Sequence, residues 1–156
     1  MREGLELKLE PVGFTKAPSS DLELIAALIC VARALIGLHA LGCVHRDIRW
    51  PNILCRGHNA YFLIDFGSAG YDGESVPEAF LDSKALDPYV GLDTERVYRS
   101  CHDMYQFGKL IKDTKDESLL GLRMNLLRAE AAKRYNVKEV LDILIMLQTR
   151  PSTDSG

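Results

Sequence analysis

His45-Arg46-Asp47-Ile48-Arg49-Trp50-Pro51-Asn52 is the stretch on which the reading of this chain turns, together with Asp65-Phe66-Gly67 downstream. The first has the form H-R-D-x-x-x-x-N, and the second follows a short apolar run, Tyr61 to Ile64. Seven specified positions in this order match by chance on the order of 10⁻⁹ of the time per placement, with residue frequencies near one in twenty. The pair of motifs points to phosphoryl transfer. That reaction needs little covalent help from protein. It needs an acceptor hydroxyl held in line and cations that neutralise phosphate charge. Asp47 is the residue expected to accept the hydroxyl proton. Asn52 and Asp65 are expected metal ligands, and their hard oxygen donors suit Mg²⁺. Both sit at the ends of an expected hairpin, Ile53–Cys55 with Tyr61–Ile64, so one rigid element positions both.

Working outward, the pattern predicts a mostly helical chain. Leu5, Leu7 and Leu9 alternate with Glu6, Lys8 and Glu10, which predicts a half-buried strand ended by Pro11 and Gly13. Ser20 or Asp21 caps the next helix, and Glu23 stands at capping-box spacing from Ser20. That helix is expected to run to about Leu41, with Gly42 at its C-terminal glycine position. Residues Asp65 to Arg99 are rich in Gly, Pro, Asp and Ser without a period, and long irregular segments of this kind in compact domains are often functional. Helices are expected over Met104–Ile111, Ser118–Ala132 and Val137–Leu147. The tail from Pro151 to Gly156 is expected to be loose.

The 156 residues suffice for one core, and the net charge of −3 argues against a nucleic-acid partner. Four cysteines lack paired spacing, which fits a reducing compartment rather than a disulfide or zinc framework. The first residues contain no apolar signal-peptide region. Leu22 to Val44 is very apolar, but Glu23, Arg33 and His39 interrupt it, so a core helix is expected in place of a membrane span. The chain is therefore expected to be intracellular, cytoplasmic or nuclear, with no membrane partner.

With these residues in view, the chain resembles the C-terminal lobe of a eukaryotic-type protein kinase. Leu38-His39-Ala40-Leu41-Gly42-Cys43-Val44 resembles the end of the family's long helix before the catalytic loop. Asp103-Met104-Tyr105-Gln106-Phe107-Gly108 resembles its D-x-W/Y-S-x-G stretch, and Lys133-Arg134-Tyr135-Asn136-Val137 the Arg before its final helix. Leu9-Glu10-Pro11-Val12-Gly13 together with the His45–Asn52 stretch is also similar to kinase-like domains of Crinkler-type effectors of oomycetes and fungi. The resemblance implies an α+β, mainly α-helical fold. Residues 1–13 become a hinge-like strand, 14–150 the lobe and 151–156 a flexible tail. It implies Asp47 and Arg49 as catalytic, Asn52 and Asp65 as metal ligands, and His45, Arg46, Phe66, Gly67 and Asp103 as structural or regulatory. Asp103 braces the catalytic loop in that family. Arg46 takes a phosphorylated residue of the following segment, with Ser68, Ser75, Ser83, Tyr89, Thr94, Tyr98 and Ser100 as candidates. The implied cofactor is Mg²⁺, and the implied partners are ATP and a protein substrate.

The departures matter equally. No G-x-G-x-x-G and no V-A-I-K precedes Asp47, so the N-terminal lobe is expected to be absent and activity weak. Lys8 is expected on a strand's solvent face, not on a phosphate. An apolar interlobe face is then expected to be exposed, open to self-association or to an N-lobe partner. The A-P-E motif is missing, and Glu95 is the expected ion-pair partner of Arg134. Arg49, where Ser/Thr kinases carry Lys, favours Ser/Thr acceptors. Taken singly, His45 is a structural histidine, Trp50 a packed side chain, and Tyr105 and Phe107 core residues. Two alternatives stand beside the kinase. One is a catalytically dead kinase-like binding module, and the other a small-molecule phosphotransferase of the aminoglycoside type. Arg46, Phe66-Gly67 and Asp103–Gly108 favour the protein kinase.

Overall fold

A computed structural model describes residues 13–81, 83–90 and 95–151. The expected strand at Leu5–Leu9, with Lys8 on it, and the candidate Thr94 lie outside these. In chain order the elements are β1 (Phe14–Thr15), α1 (Asp21–Ala40), β2 (Cys43–Val44), β3 (Ile53–Cys55), β4 (Tyr61–Leu63), β5 (Gly70–Tyr71), α2 (Ser100–Lys109), α3 (Glu117–Leu126) and α4 (Val137–Thr149). The result is an α+β protein that is mainly helical.

Helix α1 is the axis of the fold. Ser20 caps it by accepting the Glu23 N–H. The Glu23 carboxylate reaches Ser19, not Ser20, so the capping box is displaced by one residue. Leu41 closes the helix and Gly42 takes φ 74°, a left-handed angle that glycine adopts without strain. The helix is rich in apolar residues because about half of it is buried in the core. Leu28, Val31, Ala32 and Leu35 are fully buried, and α1 packs on α4 and β4. Among the described residues it is the one helix long and apolar enough to cross a membrane, and its burial in the core accounts for that composition.

The hairpin forms as expected, one residue shorter. β3 and β4 pair antiparallel with Ile53 opposite Leu63, and β1 adds to the outer edge of β3. Gly57 and Asn59, both at positive φ, turn the chain between the strands. β2 and β5 form a second, two-stranded sheet, which brings Gly70 beside Val44 at the entrance to the 45–52 loop.

Two helix boundaries differ from expectation. Helix α3 stops at Leu126, not at Ala132, because the chain turns there: Asn125 accepts the Tyr135 N–H, and a 3₁₀ turn covers Ala131–Lys133. Helix α2 starts earlier, at Ser100, and ends at Lys109. Gly108 lets α2 approach α3, since a Cβ there would stand 2.8 Å from that of Leu126. The last helix, α4, carries a complete capping box between Asn136 and Glu139.

The segment after the hairpin is irregular but not loose. It runs out past β5, and Ser75 bridges Val97 on the way back. The Val76 N–H donates to Arg96 and the Tyr98 N–H to Glu74. Val44, Val76, Val90 and Tyr98 make a small separate core beneath it.

Candidate active site

The 45–52 loop carries a strained backbone. Arg46 has φ 75°, a left-handed angle that costs a bulky residue about 1–3 kcal/mol. Helix α2 holds the strain from below. The fully buried Asp103 carboxylate accepts the His45 N–H at 2.8 Å and the Arg46 N–H at 2.9 Å. Gln106, one turn further along α2, donates to the Arg46 carbonyl at 2.7 Å and accepts the Ile48 N–H at 2.8 Å. Both ends of the strained residue are thus bonded to one helix. Asp103 and Gln106 thus tie the loop backbone to α2.

Asp103 has two further donors, the His39 ring at 2.8 Å and the Tyr98 hydroxyl at 2.7 Å. Burial, and then the charge of Asp103, push the Tyr98 phenol well above its ordinary range, so it stays protonated and donates. Sequence reasoning did not single out Gln106 or His39, and it counted Tyr98 as a phosphorylation candidate. Burial overturns that role for Tyr98, which is fully enclosed with its hydroxyl committed to Asp103. The available signal was helical spacing: Gln106 lies three residues after Asp103, on the same face of α2.

His45 joins the loop to the hairpin. Its Nε2 donates to the Ile64 carbonyl at 2.9 Å, so Nδ1 is left to accept the Asp47 N–H at 3.1 Å. Phe66 packs edge-on against the same ring at 5.0 Å, with about half its own surface open. Both His45 ring nitrogens are thus engaged by the backbone.

The Asp47 carboxylate stands at the head of this scaffold. One oxygen accepts from Arg49 Nε at 3.0 Å and the other from Asn52 Nδ2 at 2.8 Å. Each oxygen keeps a lone pair for a substrate hydroxyl. Asn52 Nδ2 also donates to the Asp47 carbonyl at 2.9 Å. Both partners are acceptors, which fixes the amide orientation and leaves the Asn52 oxygen for a cation. The Ile64 N–H donates to the Asn52 carbonyl at 2.8 Å, so the residue before Asp65 is tied directly to Asn52. Asp65 is exposed, at φ 61°, and accepts the Gly67 N–H. Among the described residues there is no cluster of three or more His, Cys, Asp or Glu side chains able to hold a metal by itself. The Asn52 and Asp65 side-chain oxygens are hard donors, of the kind Mg²⁺ takes one or two at a time from protein beside phosphates and water.

Arg49 is folded back on Asp47 in a half-exposed ion pair, not extended toward a phosphate site. Trp50 is half-buried and donates to the Leu110 carbonyl, and Phe107 lies in the core.

The expected Glu95–Arg134 pair does not form. Arg134 pairs with Asp87 at 2.6 Å, both side chains fully buried, and also donates to the carbonyls of Cys101 and Arg128. Tyr105 and Tyr89 cover its guanidinium at 5.2 and 5.9 Å. Glu95 is exposed, outside the helical body, and its carbonyl takes the Ser75 hydroxyl. Asp87 precedes a proline, and the sequence alone does not distinguish it from a turn residue. His102 gives Asp87 a second partner at 2.7 Å.

Among the described residues, Arg46 carries the buried side-chain nitrogens without a hydrogen-bond partner. It is more than nine-tenths buried, yet Nε and Nη2 have no partner and Nη1 reaches only the Ser68 carbonyl at 3.4 Å. Its guanidinium lies 5.6 Å from the Tyr98 ring centroid and fills the space a side chain at Gly70 would need. Of the proposed phosphorylation candidates, Ser68 and Ser83 share a cavity with it.

Comparison with known proteins agrees with the motifs at a coarse level. The chain is 36% identical over 119 residues, 72% of its length, to Crinkler effector protein 8 of Phytophthora infestans. It is 25% identical over 140 residues, 90% of its length, to the serine/threonine-protein kinase ppk6 of Schizosaccharomyces pombe. Over 82 residues, 50% of its length, it is 29% identical to the MAP kinase-activated protein kinase mak-1 of Caenorhabditis elegans. The chain spans only 19% of the first and 16% of each of the other two. No family model matches it. The relationship these matches support is to kinase-like proteins.

Proposed function

We propose that this chain is the catalytic segment of a protein kinase that moves the γ-phosphoryl group of ATP to a serine or threonine hydroxyl. The observation that carries the proposal is the Asp47 carboxylate, held on a strained loop pinned at both ends, with Asn52 turned so that its amide oxygen is free. Asp47 takes the proton from the acceptor hydroxyl as its oxygen attacks phosphorus. Asn52 and Asp65 would hold Mg²⁺, which when bound neutralises charge on the phosphates. Arg49, close to Asp47, is positioned to swing onto the transferred group. Arg46 is the proposed seat for a phosphate on the following segment.

A second reading, a kinase-like binding module without turnover, is supported by the absence of a glycine-rich phosphate loop within these 156 residues. Without that loop and its lysine, transfer by this chain alone is expected to be slow or unmeasurable. The test combines thermal unfolding with Mg²⁺-ATP and a transfer assay with labelled ATP. Nucleotide at about ten times its dissociation constant adds ~1.4 kcal/mol, a midpoint rise of a few degrees. The kinase reading expects that rise, and expects Asp65→Asn to abolish it. Any measurable transfer should fall on the order of 10²-fold or more in Asp47→Asn. A folded chain with no shift and no Asp47-dependent transfer would leave the binding module.

A further inference from the structure

Gln106 is buried and stands one turn along α2 from Asp103. Both hydrogens of its amide are used. Nε2 donates to the Arg46 carbonyl at 2.7 Å and to the Ala85 carbonyl at 3.0 Å, while Oε1 accepts the Ile48 N–H at 2.8 Å. Two acceptors and one donor fix which way the amide points. Two of these bonds go to the 45–52 loop, and the third goes to the irregular segment. The segment turns there: the Leu86 N–H donates to the Ser83 carbonyl and the Ala85 N–H to the Ser83 hydroxyl. Among the described residues, no other hydrogen bond joins this 83–86 turn to the loop. Loop and turn both line a cavity of about 330 Å³, the loop through Asp47 and Arg49 and the turn through Ser83, Ala85 and Leu86. One buried side chain therefore ties together two walls of the cleft beside Asp47.

We propose that Gln106 is a positioning residue that sets the width of this cleft, and with it the register between Asp47 and whatever lies along the 83–86 turn. The proposal rests on the kinase reading only for what the cleft holds, the chain bearing the acceptor hydroxyl. That hydroxyl must come within hydrogen-bond reach of Asp47 while its flanking residues lie along the turn. A misplacement of about 1 Å can cost on the order of 10² in rate, so the spacing of the walls matters as much as the carboxylate. Asp103 cannot set that spacing, because its donors belong to His39, His45, Arg46 and Tyr98, none of them on the turn. The turn is held through the Ala85 carbonyl, so the link asks for no particular side chain at that position. It asks instead for two donors and one acceptor on α2, which a glutamine amide supplies. An aliphatic side chain there orphans two carbonyls and an N–H, whereas a glutamate still accepts from Ile48 but loses both donors.

The test is hydrogen–deuterium exchange of the full chain without nucleotide, read by mass spectrometry over peptides covering 45–49 and 83–87. In Gln106→Leu both segments are expected to exchange about tenfold faster or more, together, with α1 and α4 unchanged. Gln106→Glu keeps the size of the side chain and adds a pH signature. Its buried carboxyl titrates above the ordinary carboxylate range, and only the protonated form can donate. Exchange in both segments, corrected for the intrinsic rate, should therefore slow toward that of the wild type between about pH 8 and about pH 5. A side chain that merely fills space would show no such recovery. Circular dichroism checks that each variant is folded. Faster exchange in the loop alone, in the turn alone, or equally in α1 and α4 overturns the proposal. So does a Gln106→Glu chain that exchanges like the wild type at every pH, since the donated bonds are then not needed. Transfer from labelled ATP to a mixture of serine and threonine peptides separates the two readings. Acceptor kcat/KM should fall on the order of tenfold or more in Gln106→Leu, while the Mg²⁺-ATP midpoint rise survives because the hairpin ties Asn52 to Ile64. Coupled exchange in a chain that transfers nothing sinks the kinase and keeps the tie. Transfer unchanged in Gln106→Leu, or lost together with the midpoint rise, sinks the positioning role alone.

Discussion

Asp103 and Asp87 are both fully buried carboxylates, yet they hold adjoining regions of the chain by opposite means. Asp103 lies under the 45–52 loop and collects two backbone N–H groups, a tyrosine hydroxyl and a histidine ring. Asp87 lies in the irregular segment and collects the guanidinium of Arg134, the ring of His102 and the N–H of Tyr89, two residues on in its own turn. The first carboxylate holds main chain and so sets a conformation. The second holds, beyond its own turn, only side chains and so ties a segment to the helical body. A backbone clamp positions atoms to a few tenths of an ångström, which the role proposed for Asp47 requires. An ion-pair clamp tolerates any local path that delivers its charge, which suits a segment without regular structure.

Removing the cation from the second clamp gives the largest expected effect. Arg134→Met leaves Asp87 buried with only the His102 ring and the Tyr89 N–H and should cost about 3–5 kcal/mol, read from the urea midpoint. A loss below about 1 kcal/mol would mean the pair is not structural.

Asp103→Asn sharpens the contrast. The amide cannot accept from all four donors, so a loss of about 1–3 kcal/mol is expected. The loop should suffer beyond the stability change, with the Mg²⁺-ATP thermal shift or any transfer falling even where the variant is fully folded. If Asp103→Asn and Arg134→Met lose stability equally and the shift survives in both, the two carboxylates do the same work.

Acid separates them next. Burial, the largest influence, raises the Asp87 carboxyl, but hydrogen bonds from His102, Arg134 and the Tyr89 N–H together hold it below its ordinary range. A carboxyl depressed in the folded state contributes stability that is present above its unfolded value, about 3.9, and is lost as pH falls through the folded one. The difference in urea midpoint between the wild type and Arg134→Met should therefore be widest near neutrality and narrow below about pH 4. A constant difference down to pH 2 would remove Asp87 from the account.

The smallest effects lie outside both clamps. Ser20→Ala deletes the α1 cap and should cost about 1 kcal/mol, with the nucleotide response unchanged. Arg49→Ala breaks a half-exposed pair and should cost no more than about 1 kcal/mol of stability. Any larger effect on phosphate transfer would then report its chemistry.

Much of the site was legible because its residues are close in sequence. Asp47 and Asn52 stand on one loop, and Asp65 follows a strand whose apolar run was plain, so local pattern sufficed to place all three. Gly42 and the α1 cap were legible for the same reason. The supports were not. Gln106 reaches the loop from about sixty residues away, and His39 meets Asp103 across a similar distance. Neither side chain carries a local signal of what it bonds. The Arg134 partner went wrong for the same reason. Glu95 has the right charge, but the chain path puts Asp87 in the buried position.

The sequence by itself determined the helical bulk of the fold and the hairpin, since each follows from residue type and short-range period. Only the tertiary structure decided which carboxylates brace and which remains open, which arginine is paired, and that Arg46 lies buried without a counter-charge. Those outcomes depend on burial and on partners far apart along the chain, and no local pattern encodes either.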